Sequence, residues 1–135
     1  MRRAGFTLIE LMLVVVIIGV LAAMVVPRLA GRTEQAKISR TKSDVASIGL
    51  ALDLYELDMG GYPSGTSLDP LLKKDGLPAG ANADAWKGPY LKKKMQDPWG
   101  KEYQYKFPSE STDKDYDLFS LGPDGQAGNQ DDITN

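Results

Sequence analysis

The sequence predicts an α+β chain: a long N-terminal α-helix, transmembrane in its first half and amphipathic in its second, packed on a small domain with a long loop and a short antiparallel β-sheet. Three observations predict it. Residues Phe6 to Val26 form an apolar run broken by one charge, Glu10. Ile38, Val45, Ile48, Leu52 and Tyr55 then recur at helical spacing as one apolar stripe. Farther on, Glu102–Phe107 and Asp115–Leu121 alternate apolar and polar residues, as half-buried strands do.

The apolar run comes first. Its twenty-one residues, at about 1.5 Å each, span roughly 30 Å, the thickness of a bilayer's hydrocarbon core. A carboxylate there costs roughly 2.5–3.5 kcal/mol on insertion scales, so Glu10 is a candidate functional residue in need of a partner. A cut between Gly5 and Phe6 would create a positive amine four residues before it. Four residues is one helical turn, so the two charges would share a face. The pair could close within one chain or between neighbouring chains. Two plainer readings stand beside this: a secretory signal peptide or a simple anchor. Against the signal, the acid sits at the start of the run, and Pro27-Arg28 stands where a small-x-small cleavage site belongs.

The helical pattern continues past the membrane. One helix is expected from about Phe6 to Met59, roughly 80 Å if straight. Leu50, Leu54 and Leu57 widen the stripe, so the last turns are expected to be buried against a domain. Gly60-Gly61 stops the helix, with Pro63 close behind. Gly19 is a weak helix former, and Pro27 lacks an amide hydrogen and crowds the preceding turn. Pro27 reads equally as a mild kink without a role.

Residues 60–102 are rich in Gly, Pro, Asp and Lys, which predicts a long loop with one short helix. Trp86, Tyr90, Trp99 and Tyr103 argue that this loop is ordered, since each can bury a large area. Lys92-Lys93-Lys94 reads as a solvated face. The two alternating runs, joined by Pro108–Lys114, predict a hairpin, with a third strand near the carboxyl end. Between Leu121 and Asp132 lie three carboxylates, Asp124, Asp131 and Asp132, separated by glycines. Calcium takes six to eight oxygens from carboxylates and carbonyls, and glycines let a loop curl around it. The plain alternative is a flexible acidic tail. The spacing is not that of an EF-hand. A small domain without disulfides also needs another staple, which a metal can supply.

Composition excludes other chemistry. The 135 residues include no Cys and no His, so thiol chemistry and the usual neutral general base are absent. Net charge is −2, but residues 44–135 carry 9 basic and 16 acidic side chains. An acidic domain does not read as a nucleic-acid binder. An enzyme is not expected. Basic residues flank the apolar run on both sides, so charge alone does not orient it.

Gly5-Phe6-Thr7-Leu8-Ile9-Glu10-Leu11 resembles the class III signal of type IV pilins and pseudopilins. Tyr55-x-x-Asp58-x-Gly60-x-Tyr62-Pro63, Trp86-x-Gly88-Pro89-Tyr90-Leu91, Asp97-Pro98-Trp99-Gly100-x-x-Tyr103-x-Tyr105 and Asp117-x-Phe119-Ser120-Leu121-Gly122-x-Asp124-Gly125 extend the likeness to the major pseudopilins of type II secretion. The resemblance implies a pilin-like fold and four segments. Residues 1–5 would be a leader that a prepilin peptidase removes after Gly5, with methylation of Phe6. Residues 6–27 would be the transmembrane assembly helix, and 28–59 its amphipathic continuation. Residues 60–135 would be a small periplasmic domain with a C-terminal calcium loop. Glu10 would meet the amine of Phe6 on a neighbouring subunit, and the stretch from Gly19 to Pro27 would melt on assembly. The calcium ligands would be the side chains of Asp124, Asp131 and Asp132 with the carbonyls of Leu121 and Gln126. The chain would sit in the inner membrane with a cytoplasmic N-terminus. It would polymerise with copies of itself, minor pseudopilins and the inner-membrane assembly platform into a periplasmic pseudopilus that exports folded proteins. The alternative is a subunit of a type IV pilus or another surface filament. Many such pilins close their carboxyl region with a disulfide, so the lack of Cys favours the first.

Overall fold

The computed structural model describes residues 5–135. Residues 1–4 of the expected leader lie outside the described residues. The chain divides into two compact units, one ending at Ala36 and one comprising Lys37–Asn135. The single α-helix, α1, runs Leu8–Met59 with Pro27 inside it, so it begins two residues later than expected. It ends as the glycines predict. Gly60 takes φ +80°, and its amide donates to the Glu56 carbonyl at 2.7 Å. That is the left-handed stop for which glycine is best suited.

In the second unit α1 supplies one wall of the core. Val45, Ile48, Leu52 and Tyr55 are buried, as their spacing predicts, and Ile38 is half-buried. Ala51, Leu71, Tyr103, Tyr105 and Leu118 complete the cluster. Leu50, Leu54 and Leu57 contradict the expectation: they are 63%, 47% and 81% exposed. At 100° per residue they lie 180–240° from Ile48 around the helix, so the core cannot reach them.

The long loop is ordered and contains two single 3-10 turns, Asp69–Leu71 and Lys74–Gly76, rather than one helix. Its aromatics anchor it through their polar ends. Trp86 Nε1 donates to the Pro70 carbonyl (2.8 Å), and the Tyr90 hydroxyl donates to Asp58 Oδ2 on α1 (2.8 Å). Strands β1 (Gln104–Lys106) and β2 (Asp117–Ser120) form the expected antiparallel hairpin, with Tyr105 opposite Leu118. The third strand, β3 (Ile133–Thr134), pairs antiparallel with β2, giving the order β1-β2-β3. Two tyrosines from the β1 run reach out of the sheet. Tyr103 O–H donates to Asp44 on α1 (2.9 Å), and Tyr105 O–H donates to the Pro63 carbonyl (2.8 Å). Burial pushes both phenols above their ordinary range.

A buried carboxylate ties the loop to the sheet. Asp97 Oδ1 accepts the amides of Trp99 (3.1 Å) and Lys101 (2.8 Å), and Oδ2 accepts the Ser120 hydroxyl (2.7 Å). The Ser120 oxygen in turn accepts the Gly122 amide at 3.1 Å. Burying a charge is costly unless it is hydrogen-bonded, and here two of the three bonds to Asp97 also fix backbone amides.

Asp97→Ala is expected to leave these donors unpaired, at on the order of 1–3 kcal/mol each. Urea unfolding should show the loss, and amide exchange should quicken at Lys101 and Gly122. Unchanged exchange at both amides would show that Asp97 does not hold the loop. A second outcome concerns pH. The Tyr90 hydrogen bond, aided by Lys87 and opposed by desolvation, holds the Asp58 carboxyl below its ordinary 3.8. Folding lowers this pKa, so the contact stabilises above the ordinary value and is lost as pH falls through the folded one. Asp58→Asn should lower the unfolding midpoint at neutral pH, with the difference shrinking below about pH 3.8. An equal difference at neutral and at strongly acidic pH would rule this account out.

Candidate functional site

Two places carry the candidate functional residues, the start of α1 and the loop between β2 and β3. At the start, Thr7 precedes the first helical residue. Its amide and hydroxyl both donate to Glu10 Oε2, at 2.8 and 2.7 Å. The Glu10 amide lies 3.4 Å from the Thr7 hydroxyl oxygen. Threonine at the cap and glutamate three residues on form a capping box, which satisfies amides that the first turn leaves open. In the single chain, then, the partner of Glu10 is Thr7. The pattern T-x-x-E at residues 7–10 is a helix-start signal in the sequence.

Gly5 and Phe6 precede this cap and are exposed, Phe6 to 81%. Every residue from Phe6 to Val26 is exposed within its unit. By length and composition α1 can cross a membrane. Gly19 lies inside α1 with open space where a side chain would be, and α1 is helical through Pro27.

The second place is the loop of residues 121–132. It curls back on itself, and Gly122 makes that crossing possible. It has φ +64°, and a Cβ there would sit 2.3 Å from the Asp131 carbonyl oxygen. No other residue fits so close an approach. Lys101 reaches across from β1's approach, its Nζ donating to the Gly125 carbonyl at 3.2 Å. The acids do different things. Asp124 closes its own turn, Oδ1 accepting the Gln126 amide (2.9 Å) and Oδ2 the Asn129 side-chain amide (2.6 Å). Asp132 Oδ2 accepts the Gly128 amide at 2.7 Å, whereas its Oδ1 is buried with no partner. Asp131 and Asp132 line a shared cavity of about 400 Å³ with Ile38 and Lys42. Leu121 is half-buried and Gln126 exposed.

The structure therefore brings Asp131 and Asp132 together and turns Asp124 to a neighbouring turn. Among the described residues no three acidic side chains converge as a ready metal cluster. One observation nevertheless fits a hard cation: the orphaned Asp132 Oδ1. A buried carboxylate oxygen without a donor is costly, and a cation ligated by oxygen would satisfy it. Asp97, Ser120 and Lys101, which position this loop, were not singled out as site residues by the sequence. The only signal was the Asp-Pro-x-Gly turn at 97–100, where an aspartate commonly accepts the amide two residues on.

Comparison with known proteins gives both places a context. The family description "Type II secretion system (T2SS), protein G" matches residues 28–135, and "Prokaryotic N-terminal methylation motif" matches residues 1–26. The type II secretion system core protein G of Pseudomonas aeruginosa is 48% identical over 132 residues, covering 96% of this chain and 90% of that protein. The protein of the same name from Escherichia coli K12 is 45% identical, covering 99% and 91%. The crystal structure of the major pseudopilin from the type 2 secretion system of enterohaemorrhagic Escherichia coli superposes with a TM-score of 0.67 at 34% identity, over 79% of this chain and 88% of that one. A long helix begun by a methylation motif, and a small sheet domain matched along its whole length, place the chain in the type II secretion system protein G family, the major pseudopilins.

Proposed function

We propose that the chain is the major structural subunit of a periplasmic pseudopilus, a polymer that pushes folded proteins through an outer-membrane channel. The observation that carries this is the fully exposed apolar segment from Phe6 to Val26 with one carboxylate at its start. Such a segment needs an apolar environment, first the inner membrane and then the matching segments of other copies. A prepilin peptidase would cut after Gly5, and the freed amine of Phe6 would be the charge that Glu10 pairs with. Thr7 holds the carboxylate until then, so assembly exchanges a capping contact for an ion pair in a neighbouring chain. The N-terminus would face the cytoplasm and the second unit the periplasm. Minor pseudopilins and the inner-membrane platform would be further partners. The stretch from Gly19 to Pro27, helical in the single chain, is the part that extends if the subunit lengthens on assembly. The lack of Cys supports this over a surface pilus closed by a disulfide.

Calcium is the proposed ligand of the C-terminal loop. Asp132 and Asp131 would hold it from the shared cavity, with Asp124 and the carbonyls of Leu121 and Gln126 completing the set. Bound there, it would supply positive charge to carboxylates that otherwise rely on their own turns. The orphaned Asp132 Oδ1 supports this reading. Asp124 would have to release Gln126 or Asn129 to take part.

Glu10→Ala is expected to leave the chain inserted in the membrane and to remove filaments, counted by electron microscopy after assembly with its machinery. Filaments as abundant as in the unsubstituted chain would end the ion-pair account. For calcium, thermal unfolding is compared in EGTA and in excess calcium. At a hundredfold excess over Kd the gain is about 2.7 kcal/mol, which in a domain this small raises Tm by several degrees. Asp132→Ala should abolish that rise. A rise that persists in Asp132→Ala would put the ion elsewhere.

A further inference from the structure

The C-terminal loop already holds a cation of the chain's own. Lys101 Nζ donates to the Gly125 carbonyl at 3.2 Å. The space it fills exists because Gly125 has no side chain: a Cβ there would overlap the ammonium, and φ +68° favours glycine in any case. The base of the lysine is fixed. The Lys101 amide donates to Asp97 Oδ1, and the Lys101 carbonyl accepts the Asp97 amide, both at 2.8 Å. Asp97 is itself buried and accepts the Ser120 hydroxyl. The ammonium thus reaches an acidic loop from a rigid base. It grips the residue that stands between Asp124 and Gln126.

We propose that Lys101 is a resident counter-cation of this loop: it holds the turn around Gly125 in its ion-free arrangement and yields the Gly125 carbonyl when calcium binds. This rests on the calcium reading and gives that site a regulation. Two features set the two cations in competition. Asp124 bonds to Gln126 and Asn129 within its own turn, apart from the cavity that Asp131 and Asp132 line. Bringing Asp124 and the Gln126 carbonyl to that cavity shifts the residue between them, whose carbonyl Lys101 holds. Charge acts in the same direction. Three carboxylates give the loop its negative charge; an ammonium at the turn offsets part of it and repels a second cation nearby. A contact made only in the ion-free arrangement raises the apparent Kd for the ion, and removing the contact lowers it by the same factor. Lys101 therefore sets the calcium concentration at which the loop closes.

The test uses the full chain in detergent micelles, unsubstituted and as Lys101→Met and Lys101→Arg. Tm is measured in EGTA and in saturating calcium, and Kd for calcium by calorimetry. Lys101 is exposed, so its loss leaves the fold intact. Lys101→Met should lower Tm in EGTA by a few degrees, match the unsubstituted Tm in saturating calcium, and tighten Kd about fivefold or more. Lys101→Arg, which keeps a charged donor, should stay near the unsubstituted Kd. An equal loss of Tm with and without calcium would make Lys101 a plain strut and overturn the competition. A weakened or unchanged Kd in Lys101→Met would overturn it too. Lys42, which lines the cavity with Asp131 and Asp132, is the control for charge alone. If Lys42→Met lowered Tm in EGTA and tightened Kd as much as Lys101→Met, the Gly125 contact would not be the cause. An unsubstituted chain that bound no calcium would overturn the calcium reading and this regulation with it, whereas calcium binding insensitive to Lys101→Met would sink the regulation alone.

Discussion

The inner face of α1 is the surface on which the whole second unit depends. The sheet is too small to stand alone: its strands have three, four and two residues, and a hydrophobic face or a packed helix is needed for such a sheet to persist. Ile48 and Leu52 are fully buried and provide that face. Each contributes about 1.5–3 kcal/mol by leaving water. The long loop adds Leu71 to the cluster and packs Leu68, Leu77, Leu91 and Met95 against it. It is held as well by polar ends of aromatics that find partners on the helix or in the loop, as Tyr90 does with Asp58 and Trp86 with the Pro70 carbonyl. Removing the helix face would leave these bonds with nothing to orient them.

The same helix must satisfy two solvents. Its first half has no core to meet within its unit, and its second half has a core on one side only. Glu10 shows how the conflict is handled at the apolar end. A carboxylate there is costly in hydrocarbon, and Thr7 supplies two donors within the same turn. Those donors also finish the helix start, so the acid is useful before any second chain arrives. Both donors meet the same oxygen, Oε2, so the cap ties one carboxylate oxygen into the helix start.

Much of the fold was legible because periodicity reports which side chains lie on one face. The stripe from Val45 to Tyr55 and the hairpin around Pro108–Lys114 follow from it, and the stop at Gly60 follows from glycine's freedom to take a positive φ. The exposed leucines show its limit. Leu50, Leu54 and Leu57 are as apolar as the buried residues, but apolarity does not say what covers a face, and a unit this small covers only one side of its helix. The Asp97–Ser120 bond joins residues 23 apart in sequence, and no local pattern announces it. At the C-terminal loop, composition pointed to three acids near one another; Asp131 and Asp132 line one cavity, while Asp124 bonds within its own turn. Short carboxylates in a glycine-rich loop find backbone amides within a few residues, as Asp124 finds Gln126, and this local competition precedes any convergence on a shared ion.

That competition also locates where the loop can change. Its stem is fixed by Asp97 through Ser120 to Gly122, and Gly122 in turn lies against the Asp131 carbonyl. Every member of this chain is satisfied and close-packed. Beyond it, Asp124 accepts from Gln126 and Asn129 in an exposed turn, and Asn129 Oδ1 accepts the Asp131 amide. An ion entering at Asp131 and Asp132 would meet a rigid floor on one side and a turn with weak outside attachments on the other. Lys101 links that turn to the rest of the unit through the Gly125 carbonyl, and Asp132 through the Gly128 amide. The cost of rearranging the turn is then a few exposed hydrogen bonds, each worth on the order of 1 kcal/mol net, while the gain includes a donor-free buried oxygen made whole. The stem would stay where it is, and the acidic turn would close onto it.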